Sequence, residues 1–151
     1  MKIKSIKAEK ILDSRGTWTS KSIVELEDGS KGYGEVPSGA SLGEKEAALL
    51  PVEQAVLHIN EIIAPKLQGF EAEAQEQLDQ LLISIDATEN KSGLGANATL
   101  AVSLGVCEAA ATSLKIPLYQ YLAKLTNIDN KGVFPTPLFN IINGGAHASN
   151  G

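Results

Sequence analysis

The chain has 151 residues, 43% of them hydrophobic, and its 13 basic and 18 acidic side chains leave a net charge of −5. This length predicts one domain, or one domain and part of a second, with room for a sizeable core. The acidic balance argues against a general nucleic-acid binder, which needs a basic face. Arg15 is the only arginine, so a phosphate clamp built from several guanidinium groups is excluded within this chain.

The sequence carries no signal for export or membrane insertion. Cys107 is the only cysteine, so an internal disulfide is excluded. The stretch Met1–Lys10 lacks the continuous apolar run of a signal peptide, and no run of 18 apolar residues occurs elsewhere. We therefore expect a soluble protein of the cytoplasm.

The first 36 residues predict a three-stranded antiparallel meander. β-branched residues at positions 3, 6 and 11 favour a first strand. A second strand is predicted over Ile23–Glu27, where Val24 and Leu26 share one face. Asp28-Gly29 supplies the turn of a hairpin, and Lys31–Val36 returns as the third strand.

From residue 44 onwards the apolar residues take helical spacing. The pattern predicts a short helix at about 44–49 and a second helix at about 51–64, with Pro51 in its first turn and a stop before Pro65. A third helix is marked by the apolar stripe Ala74, Leu78, Leu81, Leu82 and Ile85.

The stretch Asn97–Leu114 is crowded with Ala, Ser and Gly. Small residues let neighbouring elements approach closely, so this stretch is predicted to be the central helix, with Cys107 as a small buried hydrophobe. Pro117 opens a last short helix that ends near Leu125. The polar stretch 127–132 is predicted to be a linker, and Phe134–Ile142 to be the first buried strand of a second domain.

A buried strand without neighbours cannot satisfy its backbone groups. We therefore expect a truncated chain or one that needs a partner, with residues 127–151 poorly ordered when it is isolated.

Two loops and two histidines are the candidates for chemistry. Gly93-Leu-Gly95 resembles a dinucleotide-binding loop only loosely, because a helix precedes it and no acidic residue follows at the required spacing. The flexible loop Ser38–Gly43 could meet a phosphate or a metal, or could be a plain connector. His58 is interpreted as a structural or surface residue, whereas His147 follows a predicted strand end, where barrel enzymes place ligand contacts.

Four stretches occur in a characteristic order and spacing. They are Leu12-Asp-Ser-Arg15-Gly16, Pro37-Ser-Gly-Ala-Ser41-Leu-Gly43, Glu89-Asn-Lys-Ser-Gly-Leu-Gly-Ala-Asn97-Ala98 and Asn140-Ile-Ile-Asn-Gly-Gly-Ala-His147-Ala148. Together they resemble the N-terminal part of the enolase family, the phosphopyruvate hydratases, from about residue 3 to the end.

The resemblance implies an α+β fold, in which a meander followed by a helical bundle caps a modified α/β barrel. The implied cap spans 1–126, the linker 127–132 and the start of a truncated barrel 133–151. The implied reaction is the reversible dehydration of 2-phosphoglycerate to phosphoenolpyruvate. A lysine removes the C2 proton, a glutamate assists departure of the hydroxyl, and two Mg²⁺ ions offset the charge that develops at the carboxylate.

Only part of that machinery matches positions of this chain. By resemblance, Ser41 helps to bind the second Mg²⁺, and Ser38, Gly39 and Ala40 form the rest of the substrate-binding loop. His147 contacts substrate.

No catalytic residue is implied within the chain, and we expect all of them beyond Gly151. The family's glutamate follows the histidine of this motif by about nine residues, which places it after Gly151. The carboxylate Mg²⁺ ligands, the base lysine and the phosphate-binding arginine all belong to the barrel. The isolated chain is therefore expected to be inactive.

Three departures from the family pattern indicate a divergent member: Thr17-Trp18-Thr19 after the Arg-Gly pair, Leu42 in the loop, and a shortened connection around Leu49-Leu50-Pro51. Arg15 is expected to make structural or intersubunit contacts rather than to act in catalysis.

The resemblance further implies a homodimer or higher oligomer with the meander near the interface, no nucleic-acid partner, and a cytoplasmic location that allows a surface or secreted fraction. Two alternatives stay open. One is another proton-abstracting enzyme of the superfamily, such as a racemase or cycloisomerase, and the other is a non-catalytic dimerisation or interaction module.

Overall fold

A computed structural model of the chain describes residues 1–39, 43, 45–128, 132 and 134–142. Three strands come first and the helices follow them, so the α+β fold predicted from the sequence is confirmed. The elements are β1 (Ile3–Leu12), β2 (Trp18–Leu26), β3 (Lys31–Val36), α1 (Val52–His58), a π-helical turn (Ile59–Ile63), α2 (Ala64–Leu67), α3 (Gln75–Asp86), α4 (Ala96–Ser113) and α5 (Leu118–Leu125).

The strands form one antiparallel sheet in the order β1-β2-β3, as the meander prediction requires. Gly29 makes the β2–β3 turn with a φ of 84°, which suits glycine because it has no Cβ. The second strand begins at Trp18, five residues before the predicted start at Ile23. Its early part was missed because Ser20 and Ser22 are buried polar residues. Their hydroxyls donate to backbone carbonyls of α4 instead of facing water.

Helix α4 packs directly onto β3 and β2 and is the central helix, as predicted. Gly34 and Gly32 of β3 make this approach possible: a Cβ at Gly34 would lie 1.8 Å from the Ala101 carbonyl oxygen, and one at Gly32 would lie 2.2 Å from the Ala109 nitrogen. Cys107 is buried in the same helix, which confirms its predicted role as a small core residue.

One predicted helix does not form in its described part, and one predicted helix end is wrong. Residues 45–49 are not helical, because the Ala48 backbone makes tertiary hydrogen bonds, donating to the Asn90 carbonyl and accepting from the Ala96 amide. The helix expected to stop before Pro65 continues to Leu67. A π-helical turn immediately before Pro65 widens the backbone, so the proline enters at the first turn of α2 without ending the helix.

Side chains occupy backbone groups at both edges of the sheet. At the β1 edge, the Asn60 carboxamide pairs with the backbone of Ala8, accepting from its amide at 2.8 Å and donating to its carbonyl at 3.2 Å. At the β3 edge, the Glu108 carboxylate accepts a hydrogen bond from the Tyr33 amide. These contacts tie the helices to the outer strands.

The predicted strand at 134–142 does not form: this stretch has no regular secondary structure. Its apolar side chains are almost fully exposed, with Leu138 at 95% and Phe134 at 90%. A strand needs a neighbour for its backbone hydrogen bonds, and within the described ranges no second strand lies beside it.

Over the described part of the chain, no single helix combines the length and hydropathy needed to cross a membrane. Among the described helices, α4 and α5 reach that length and hydropathy together, but across a bend of 106°.

Candidate functional site

The β1–β2 turn is the first of the four sequence motifs, and it is held by one carboxylate. Asp13 Oδ1 accepts hydrogen bonds at 2.9 Å from the backbone amides of both Arg15 and Thr17. These bonds, that of Thr17 first, hold the pKa of Asp13 below its ordinary value, and the Arg15 charge acts in the same direction. The turn therefore has a fixed shape, with an ionised carboxylate beneath the arginine.

Arg15 connects this turn to the second motif. Its Nη2 donates a hydrogen bond to the Ser38 carbonyl oxygen and lies 3.6 Å from Asp13 Oδ2. Ser38 is half-buried, whereas Gly39 is exposed. The first motif thus holds the chain at the start of the loop that follows β3.

The third motif holds the chain after that loop. Asn97 is buried, and its carboxamide pairs with the backbone of Leu50, donating to the carbonyl at 2.9 Å and accepting from the amide at 3.3 Å. Two more backbone hydrogen bonds, from Ala48 to Asn90 at 2.7 Å and from Ala96 to Ala48 at 2.8 Å, complete the attachment. Both ends of the loop are therefore fixed by motifs distant in sequence.

The loop carrying the third motif is organised by Asp86 at the end of α3. The Asp86 carboxylate is buried and accepts hydrogen bonds from the Leu94 amide at 2.7 Å, from the Thr88 amide at 3.0 Å and from the Thr88 hydroxyl. Burial raises the pKa of Asp86, but the hydrogen bonds together lower it by more than burial raises it. The pKa of Asp86 therefore lies below its ordinary value. The carboxylate stays ionised and replaces the missing backbone partners of this loop.

His58 is also structural, as predicted. It is half-buried, and its Nδ1 lies 2.9 Å from the Leu94 carbonyl oxygen. A dinucleotide-binding loop follows a strand, but the element before Gly93-Leu94-Gly95 is the helix α3. The two glycines instead lie in the connection that leads into α4.

An open polar cleft of about 780 Å³ lies between residues 45–47 and residues 89–90. It is lined by Lys45, Glu46, Ala47, Glu89 and Asn90. Three of these lining residues follow the loop with the predicted ligand contacts in sequence, and the walls of the cleft carry charges of both signs.

Of the predicted site residues, the structure describes Ser38 and Gly39, which lie at the beginning of the loop. Ala40, Ser41 and His147 lie outside the described residues. Among the residues that are described, no group of three or more His, Cys, Asp or Glu could hold a metal ion. Asp86 and Asn97 were missed as supports of the site, because only their contacts across the fold reveal them.

The expectation that the catalytic residues follow Gly151 is not tested by the structure. Gly151 itself lies outside the described residues, as does the rest of the fourth motif after Ile142. The placement of the base and of the carboxylate ligands beyond Gly151 therefore stays a prediction from the resemblance.

The chain also matches known proteins. The family model for the N-terminal domain of enolase covers residues 3–122. An enolase of Anaplasma phagocytophilum is 48% identical, one of Methanopyrus kandleri 50%, and one of Mycoplasmoides gallisepticum 49%. Each alignment covers 99% of this chain but only 37%, 36% and 34% of the respective relative.

The chain therefore spans about a third of the length of the curated relatives it matches. The match extends from the first strand into α5, and it contains the loop together with the two motifs that fix it on either side. The chain belongs to the enolase family, as an enolase N-terminal domain.

Proposed function

We propose that this chain is the N-terminal part of an enzyme that interconverts 2-phosphoglycerate and phosphoenolpyruvate. The observation that carries the proposal is the attachment of one loop at both ends, by Arg15 at Ser38 and by Asn97 at Leu50. A scaffold that fixes both ends of a loop suits a loop that must present groups to a substrate. Residues 1–126 form the cap in this proposal, 127–132 the linker, and 133–151 the start of the barrel.

Within the proposed enzyme, this chain contributes binding groups rather than the base. Ser41 is proposed to help bind the second Mg²⁺, while Ser38, Gly39, Ala40 and His147 contact substrate. When bound, Mg²⁺ offsets the second negative charge that develops as the C2 proton leaves. The carboxylate ligands and the base are assigned to the barrel, as the resemblance implies.

The decisive experiment is an activity assay on a product that joins this chain to a complete barrel. We expect Mg²⁺-dependent formation of phosphoenolpyruvate, which is measured by its ultraviolet absorbance. The 151-residue chain alone should show no activity. Ser41→Ala and His147→Ala should each lower kcat/KM strongly. If the joined protein folds but forms no phosphoenolpyruvate, the proposed function is wrong. Turnover of a phosphate-free carboxylate instead would favour a racemase or cycloisomerase.

A non-catalytic dimerisation module is the second candidate, and one surface feature favours it. Leu12 and Trp18 face each other across β1 and β2, and both are more than half exposed. The Lys10 ammonium lies 5.4 Å from the centre of the Trp18 ring. An exposed pair of this kind suits a subunit contact, and a homodimer is also expected of the complete enzyme.

Sedimentation of the joined protein beside its Trp18→Ser variant separates the two candidates. A dimer that depends on Trp18 and has no hydratase activity would support the module. An active protein supports the enzyme, for which we propose a location in the cytoplasm.

A further inference from the structure

We propose that Arg15 is a positioning residue for the substrate-binding loop: its guanidinium holds the Ser38 carbonyl and so fixes the peptide plane between Ser38 and Gly39, where that loop begins. This inference rests on the proposed function and extends it to a residue outside the loop. The contact joins two motifs that are 23 residues apart in sequence.

The guanidinium is itself held in place. Asp13 lies under it, with Oδ2 at 3.6 Å from Nη2, and the same carboxylate fixes the backbone of the turn through the Arg15 and Thr17 amides. Since those hydrogen bonds keep the pKa of Asp13 below its ordinary value, the carboxylate stays charged at neutral pH. Arg15 therefore extends from a rigid turn with its planar group already oriented.

The backbone that Arg15 reaches lies at the start of the loop, two residues after the end of β3. Two residues earlier, the Thr19 hydroxyl donates to the carbonyl of Val36, the last residue of β3. Pro37 follows and has no amide to donate. The Ser38 carbonyl shares its peptide plane with the Gly39 amide, so a hydrogen bond to that carbonyl also fixes the plane from which the exposed Gly39 continues.

Arginine suits this position better than lysine. A guanidinium offers several donors in one plane, so it can face the Asp13 carboxylate and the Ser38 carbonyl together. A lysine ammonium is a single point charge on a flexible stem and would hold the carbonyl less well. The chain has twelve lysines and uses its one arginine here.

The kinetic test uses the joined protein with Arg15→Ala and Arg15→Lys. We expect Arg15→Ala to lower kcat/KM roughly tenfold, as loss of one charge-assisted hydrogen bond implies, and to raise the Mg²⁺ concentration for half-maximal rate. Arg15→Lys should recover part of the loss. The melting temperature and the oligomeric state should stay unchanged, because Arg15 is half exposed.

Lys21→Ala is the matched control. Lys21 pairs with Glu35 at 2.9 Å on the same sheet and has no described contact with the loop. The Lys21→Ala substitution removes a surface ion pair of the same sheet, so the kinetics of this variant should equal those of the parent protein. Equal losses in Lys21→Ala and Arg15→Ala would overturn the inference, as would an Arg15→Ala protein that loses its subunit contact or keeps full activity.

A second measurement is independent of the proposed reaction. In the 151-residue chain, the ¹³C shift of the Ser38 carbonyl and the ¹⁵N relaxation of Gly39 report on the held peptide plane. Arg15→Ala should shift the first and increase fast motion at the second, whereas Lys21→Ala should change neither. If the joined parent has no hydratase activity, the proposed function fails and this measurement alone decides the role of Arg15. Unchanged Ser38 and Gly39 signals would refute that role.

Discussion

The carboxamide of Asn97 binds both backbone groups of Leu50, which lies 47 residues earlier in the chain. It acts as a substitute strand partner, donating with Nδ2 and accepting with Oδ1. Asn97 also lies in the first turn of α4, one residue after its start at Ala96. One side chain thus fixes the segment after the loop to the central helix.

Asn97→Ala is predicted to destabilise the chain by roughly 2–3 kcal/mol, because it leaves two backbone groups of Leu50 without their partner. Urea unfolding followed by circular dichroism measures the change. Gln77→Ala, at an exposed position of α3, is the control and should stay within about 0.5 kcal/mol. A midpoint for Asn97→Ala equal to the control's would show that the contact carries no stability.

Gly34→Ala tests the close approach of α4 to β3. The added Cβ would lie 1.8 Å from the Ala101 carbonyl oxygen, so helix or sheet must move, at a predicted cost of about 3 kcal/mol or more. Gly29→Ala is the matched comparison, because it has open space around it but a positive φ of 84°. It should cost only about 1–2 kcal/mol. Thermal melts of both variants separate crowding from backbone strain, and equal costs would contradict the packing argument.

Tyr121 predicts a loss of stability in alkali. It is 1% exposed, burial raises the pKa of its hydroxyl to about 12 from the ordinary 10.0, and no described residue accepts or donates to it. Between pH 10 and 12 the unfolded chain gives up this proton while the folded chain keeps it. Stability therefore falls as pH rises through that window, by roughly 2–3 kcal/mol in all.

Tyr121→Phe should remove that part of the alkaline loss and cost nothing at about pH 7, since it deletes a hydroxyl without a partner. Tyr119→Phe is the control, because Tyr119 is 58% exposed, and it should keep the full pH dependence. Urea midpoints at about pH 8, 10 and 11.5 give the comparison. Identical slopes for Tyr121→Phe and the parent chain would refute the assignment.

Asp86 predicts a loss of stability in acid. The group's pKa is lowered in the folded chain, so its stabilising contribution is present above the ordinary value of 3.8 and disappears as pH falls below it. Asp86→Asn keeps the shape but turns a donor towards the Leu94 or Thr88 amide. We expect it to cost roughly 2–3 kcal/mol at about pH 7 and less at about pH 3.

Denaturant titrations at both pH values check this expectation. Glu89→Gln, an exposed charge in the same loop, should show no such pH dependence relative to the parent chain. A cost for Asp86→Asn that is the same in acid as at neutral pH would mean that the charge is unimportant.

Local patterns were sufficient for the elements that bury one clear face. The alternation around Val24 predicted the later part of β2, and the stripe through Leu78 and Leu82 predicted α3, because burial follows spacing directly. The same reasoning failed at 45–49, where good helix-forming residues give way to the hydrogen bonds of Ala48 with distant backbone. It failed at Pro65 because a π-helical turn can absorb a proline.

The supports of the candidate site were beyond local patterns for the same physical reason. Arg15 meets Ser38, and Asn97 meets Leu50, only after the sheet and α4 have packed. The motifs themselves could be identified in the sequence, and the family match confirms the resemblance. The backbone atoms that these motifs hold are set by the tertiary packing, and the spacing of apolar residues in the sequence does not reveal them.

The capped strands of the sheet limit how this domain can assemble. Because Asn60 occupies the backbone of Ala8 and Glu108 occupies the amide of Tyr33, an incoming strand cannot pair with the sheet at these points without displacing a side chain from each edge. The two side-chain contacts therefore disfavour edge-to-edge pairing of meanders, which is the usual hazard of a small open sheet. An assembly that leaves both side chains in place has a defined stoichiometry, whereas a continuous sheet would have no natural end.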